Sequence, residues 1–259
     1  MREWRDRQTH WLRYACALGL LVLLLPAQAY VLRTAAQEGT EPKFIADGKG
    51  GIIGLCVDLL RAIEQLEPSL IFKGDQIWKP LIRAYSEVEH GLLDVACAVQ
   101  RGNERERRFQ FIGPTLYNND YYFLARIQDP IKINQWDDLR QLAPDNIVLI
   151  NRGFAAADIV RNQGGIQIDD SATNQVLNLQ KLVAGRGRVF FHRGRDLQKL
   201  LERTGNTDKV RILPKVMYSS PVYFAVSKQL DPVARERLDH ALFQLEKNGT
   251  LDRLIRKWD

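Results

Sequence analysis

The sequence predicts an α/β fold, a mostly parallel sheet with helices on its faces, large enough to form two lobes. Three observations lead there. Short β-type runs alternate with segments of helical apolar period, the pattern of parallel strands joined by helical crossovers. Behind an N-terminal leader, residues 30–259 remain, enough for one large domain or two lobes of roughly 100 residues each. Two cysteines survive the leader, and an even pair suits a chain folded in an oxidising compartment.

The leader sets that compartment. Arg2, Arg5, Arg7 and Arg13 surround or precede the start of an apolar run from Ala15 to Leu25, Pro26 ends it, and Ala27-Gln28-Ala29 offers the small residues that signal peptidase reads. Residues 1–29 are therefore expected to be a signal peptide cleaved before Tyr30, placing the protein in the periplasm. An uncleaved anchor is the alternative, but about 20 apolar residues are needed to span a bilayer, and this run is far shorter. No later segment is long and apolar enough to cross a membrane. The whole chain carries a formal charge of +6. Without the leader's four arginines and two acids, 33 basic side chains face 29 acidic ones, a net of +4. So mild an excess does not suggest nucleic acid, which calls for a concentrated basic face.

The elements follow in order. Val31 to Thr34 reads as a first strand, and the Gly-rich stretch from Gly48 to Gly54 as a hairpin or turn. Cys56, Leu59, Leu60, Ile63 and Leu66 recur at helical spacing, with Asp58 near the helix start, where a carboxylate suits the dipole. Pro68 stops that helix, and Leu70 to Phe72 is the next strand. Val95 to Ala98 is a continuous apolar strand, Tyr121 to Arg126 a longer extended run, and Ile147 to Ile150 and Val189 to Phe191 two more strands. Leu238, Ala241, Leu242 and Leu245 form one helical stripe, Asn248-Gly249 a stop, and Leu251, Leu254, Ile255 and Trp258 a second stripe. Physically this is a helical hairpin clamped onto a core.

Cys16 leaves with the leader, so Cys56 and Cys97 are expected to pair as a disulfide, with two buried thiols as the alternative. Neither lies in a C-x-x-C motif, which makes the bond a staple and not a redox site.

In open parallel sheets ligands bind beyond the carboxyl ends of the strands, and three segments qualify. Val99 to Arg105 contains Gln100, Arg101, Asn103 and Arg105; Asn151-Arg152-Gly153-Phe154-Ala155 is a glycine turn at a helix start; His192-Arg193-Gly194-Arg195 follows Phe191. All three offer cations or free backbone donors, which suits a ligand bearing a carboxylate. Taken singly, the arginines from Arg101 to Arg108 also fit a solvated helix surface, His192 a structural histidine and Gly153 an ordinary turn. Convergence at three strand ends carries the reading.

The chain resembles the bacterial extracellular solute-binding proteins of family three, the type serving polar amino-acid ABC transporters. Gly54-Leu55-Cys56-Val57-Asp58-Leu59, Gly91-Leu92-Leu93-Asp94, Glu104 and Arg105 with Phe111, Asp138-Leu139, Gly185-Arg186-Gly187-Arg188, and the closing run from Asn248 to Trp258 carry the resemblance in the family's order. It implies a type-two periplasmic binding protein, two-lobed, with a hinge and an interlobe ligand cleft. Residues 30–118 and 222–259 would form lobe 1 and residues 119–221 lobe 2, crossing near Tyr117–Tyr121 and Ser219–Tyr223. The partner implied is an ABC permease of the inner membrane, served by a monomer with no cofactor or metal. Residue by residue, Arg105 matches the arginine that grips the ligand's carboxylate, Ala98 and Gln100 the positions that contact it through backbone and a short polar side chain, and Trp78 an aromatic that packs on it. Gly153, with neighbours Arg152 and Phe154, matches the second lobe's turn.

Two departures set this chain apart. Arg193, beside His192, stands where the family carries the acid that pairs with a ligand's α-ammonium, and Gly102 replaces a threonine in the approach to Arg105. An arginine repels an ammonium, so the resemblance implies an amino acid while these departures favour an organic anion. Two other classes share the fold: a periplasmic dehydratase acting on cyclohexadienyl acids, for which Glu38 is the one candidate carboxylate, and a sensing subunit for a separate membrane partner.

Overall fold

The structure is a computed structural model describing residues 29–259; the expected leader up to Gln28 lies outside the described residues. Helices and strands alternate as the apolar spacing dictates. β1 (Tyr30–Arg33) pairs in parallel with β5 (Leu70–Lys73), and β2 (Ala36–Gln37) with β6 (Trp78–Lys79). The Gly-rich stretch makes the small hairpin of β3 (Ile45–Ala46) and β4 (Ile52–Ile53). Helix α1 (Leu55–Leu66) buries Cys56, Leu59, Leu60 and Ile63 of the stripe read from sequence, but leaves Leu66, at its C-terminal end, 42% exposed. Helix α2 (Leu81–Glu89) lies over β7 (Val95–Gln100), all six of whose residues are buried. The six-residue helix α3 (Asn103–Arg108) follows β7 directly.

The main sheet departs from expectation. The sequence predicts a mostly parallel arrangement, yet the seven-stranded sheet is mixed. Its order is β10 (Gln167–Asp169), β9 (Ile147–Leu149), β11 (Val189–Arg193), β8 (Gln110–Arg126), β13 (Tyr218–Val226) and β7, with β12 (Val210–Ile212) also against β8. Only the β10–β9 and β9–β11 pairs are parallel. The cause is β8, which is 17 residues long where the sequence predicts an extended run only from Tyr121 to Arg126, and which pairs antiparallel with β13 over much of its length. Strand β11 also runs two residues past Phe191, so His192 and Arg193 belong to the sheet.

Between β8 and β13 come α4 (Trp136–Arg140), α5 (Ala156–Arg161), α6 (Gln175–Val183) and α7 (Leu197–Arg203), the last two covering a core of Leu124, Leu149, Phe190 and Val210. The C-terminal hairpin, α8 (Pro232–Lys247) and α9 (Thr250–Lys257), packs against α1. Asp231 caps α8 by accepting from the N–H groups of Val233 and Ala234, both at 2.9 Å, with Pro232 at the first helical position. Asp58 accepts from Trp258 Nε1 at 2.8 Å and Lys257 Nζ at 2.6 Å, clamping the hairpin onto α1. Cys56 and Cys97 are bonded, Cα atoms 6.0 Å apart, and tie α1 to β7. No helix among the described residues is long and apolar enough to cross a membrane.

Candidate functional site

Where the lobes meet, a cavity of about 20 Å³ is lined by three basic side chains, Lys43, Arg105 and Arg193. Thr40, Gln100, Asn119 and Tyr121 add polar groups to its wall, and Leu81, Tyr85 and Phe154 apolar ones. No carboxylate lines it, and none of the three basic groups has an ion-pair partner among the described residues. Guanidiniums are held by rings and carbonyls instead. Arg105 lies 5.3 Å over Tyr85 and donates to Gln100 O at 3.2 Å and, across the lobes, to Gly153 O at 3.5 Å. Arg193 lies 4.8 Å over Phe154 and donates across the lobes to Gly39 O at 3.2 Å. Such stacking leaves each positive charge largely uncompensated, ready for an anion.

Strand geometry decides which predicted residues arrive. Successive side chains of a strand point to opposite faces. On β11, Arg193 lies opposite Tyr121 of β8 and faces the cleft. His192 therefore turns the other way, toward Phe190, with Nδ1 on Arg193 O at 3.0 Å and Nε2 without a partner among the described residues. Burial first, then the charge of Arg193, pushes its pKa down to about 3. On β7, Ala98 and Gln100 both face the cavity. Tyr121, whose pKa burial pushes up to about 12, stays protonated and donates to Gln100 Oε1 at 2.7 Å.

The structure brings together Ala98, Gln100, Arg105, Phe154 and Arg193, and sets Trp78, Arg152 and His192 outside the lining. Trp78 is 37% exposed on the short strand β6, and Leu81 and Tyr85 of α2 supply the wall in its place. Arg152 points to solvent, its Nε 3.4 Å from Asp170 O. Gly153 sits at the seam at φ +80°; a Cβ there would lie 2.4 Å from Ile82 of lobe 1, so only glycine lets the lobes meet this closely. Glu38 is exposed and outside the lining.

Lys43 and Tyr85 are functional candidates that sequence reasoning missed. Tyr85 was visible as the fourth residue after Leu81 on one helix face; nothing in the local pattern of Pro42-Lys43-Phe44 announced a buried lysine. The N–H groups of Leu55 and Cys56 at the start of α1 donate to Pro42 O and Lys43 O, both at 3.1 Å. Gly54 lies against that same backbone, where a Cβ would come within 2.4 Å of Lys43 O. Lys43 is thereby driven inward, and its pKa is held well below the ordinary lysine value by burial first, then by Arg193 and Arg105.

The sequence profile of the bacterial extracellular solute-binding proteins, family 3, matches residues 32–259. A curated relative, the L-cystine-binding protein TcyJ of Bacillus subtilis (strain 168), is 24% identical over 214 residues, covering 81% of this chain and 77% of its own. An ancestral arginine-binding protein bound to arginine superposes with a TM-score of 0.73 at 19% identity, over 89% of this chain and 99% of that one. A putative L-cystine ABC transporter protein from Listeria monocytogenes gives 0.71 at 20%, over 89% and 96%. With the profile spanning both lobes and the charged cleft between them, this chain belongs to the bacterial extracellular solute-binding proteins of family 3.

Proposed function

We propose that this protein captures a small organic anion between its two lobes in the periplasm and presents it to an ABC permease of the inner membrane. One observation carries the reading: three basic side chains, Lys43, Arg105 and Arg193, converge on an interlobe cavity whose described lining holds no carboxylate. An α-amino acid would bring an ammonium to this cluster with no counter-charge to meet it. Two like charges 6 Å apart at an effective dielectric of about 20 repel by roughly 3 kcal/mol. Removing the amine therefore favours binding by at least about tenfold. The relatives named for cystine and arginine make an amino acid the competing ligand.

The cavity has room for about one water molecule, so the lobes open before a solute enters. Residues 30–118 with 222–259 move as one lobe and 119–221 as the other, bending where β8 and β13 cross at Tyr117–Tyr121 and Ser219–Tyr223. The cross-lobe bonds of Arg105, Arg193 and of Gln175 Nε2 to Glu41 Oε2, 2.8 Å, re-form around the bound solute. Binding without chemistry fits the lining, which offers no carboxylate to act as acid or base. Calorimetric titration with glutarate and with glutamate tests the proposal. Glutarate should bind at least tenfold more tightly; tighter binding of glutamate, undiminished by Arg193→Ala, refutes it.

A further inference from the structure

We propose that Lys43 is the specificity-determining residue of the cleft: its side-chain amine permanently occupies the seat that a ligand's ammonium would otherwise take. The inference rests on the anion-binding reading above and explains how the selectivity is built. The seat has three acceptors around Lys43 Nζ, namely Gln37 Oε1 at 2.7 Å, Ala98 O at 3.2 Å and Cys97 O at 3.4 Å. An alkylammonium carries three donors, and no other described group near the cavity gathers acceptors in this way.

The backbone makes the seat. Between β7 and β13 the register shifts from Val99–Tyr223 to Ala96–Ala225, so Cys97 and Ala98 face Phe224 alone. Two residues opposite one is a β-bulge, a device that re-aims backbone groups out of the ladder. Ala98 sits there at φ +54°, a left-handed conformation that a residue with a Cβ seldom adopts. Both bulge carbonyls thus turn from the sheet toward the cleft, where a cation would be welcome. The third acceptor is a side-chain oxygen of Gln37, whose main-chain carbonyl is held within its own loop by Thr40 Oγ1 donating at 2.6 Å.

Lys43 fills this seat from within. It is 3% exposed, and the start of α1 with Gly54 holds its backbone in place whether or not a ligand is present. As an ammonium its three N–H donors can engage all three acceptors, and as a neutral amine two of them. An incoming ammonium finds these acceptors taken and Arg105 and Arg193 as its nearest charges, so the ligands that fit are carboxylates without an amine beside the carboxyl group.

The test is a change of preference. Lys43→Met keeps an unbranched side chain, one atom shorter, and removes every donor, freeing Gln37 Oε1 and the two carbonyls. Titrated with glutarate and glutamate, the variant should lose at least tenfold in glutarate affinity and gain glutamate binding, moving the ratio at least 100-fold toward the amino acid. Lys43→Gln, which keeps a polar partner for Gln37, should move the ratio in the same direction and serves should the methionine variant not fold. Wild-type protein that prefers glutamate would refute the anion reading itself. Wild type that prefers glutarate, with a folded variant of unchanged preference, would refute the role of Lys43 alone.

Discussion

Replacing Cys56 and Cys97 together by alanine should destabilise the fold by about 4 kcal/mol, because the bond closes a long loop in the unfolded chain. The bonded residues are 41 apart in sequence. In the chain-entropy account, closing a loop of that length removes about 13 cal/mol/K from the unfolded ensemble, hence about 4 kcal/mol at 25 °C. Each kcal/mol moves Tm by about 2–4 °C in a fold of this size, so the drop should be roughly 8–16 °C. Both sulfurs are buried, at 0% and 1% exposure for their residues, and the lost side-chain volume adds to the effect. Comparing oxidised and reduced wild type separates the two contributions, since the reduced chain keeps its sulfur atoms. The bond also anchors β7, the strand that presents Ala98 and Gln100, so ligand affinity should fall with stability. Differential scanning calorimetry under reversible conditions decides it. A Tm loss below about 3 °C for both the double variant and the reduced protein would refute the loop-closure reasoning.

Arg105→Ala should weaken glutarate binding by about 2–5 kcal/mol, roughly 30-fold to several-thousand-fold. Stability should hardly change, because among the described residues the side chain hydrogen-bonds two carbonyls, of Gln100 and Gly153, and rests on the Tyr85 ring; unchanged affinity would return Arg105 to the solvated surface of α3. His192 should sensitise the fold to acid. Its folded pKa of about 3 lies below the unfolded value near 6.5. The unfolded chain therefore binds more protons in that window, and stability falls as pH drops through it, by a total on the order of 5 kcal/mol. His192→Leu should move the midpoint of acid unfolding, followed by circular dichroism, to lower pH; an unshifted midpoint would show that the imidazole charges freely in the folded protein.

Local pattern made much of the fold legible. The stripes on α1, α8 and α9, the strand runs near Leu70, Val95, Ile147 and Val189, and the Cys56–Cys97 pair all follow from side-chain period and cysteine number. Those rules concern neighbours within a few residues, and burial enforces them directly. The strand-end rule likewise led to Gln100, Arg105, Phe154 and Arg193, and the family resemblance to Ala98; β7 and β11 run in opposite directions along β13 and β8, so their carboxyl ends approach each other.

Only the tertiary structure decided which way those side chains point and what else joins them. A single step along β11 exchanges Arg193 for His192 in the cleft, and the register against β8 sets that step. Trp78 and Arg152 are as cationic or aromatic as the residues that did arrive, but their strand and turn face solvent. The sheet is mixed because β8 and β13 travel together between the lobes, a pairing of segments about 100 residues apart that no local window can register. Lys43 is the clearest case. Its sequence neighbours resemble a surface loop, yet a helix start at Leu55 and a bulge at Cys97 and Ala98, both distant in the chain, bury its amine at the centre of the site.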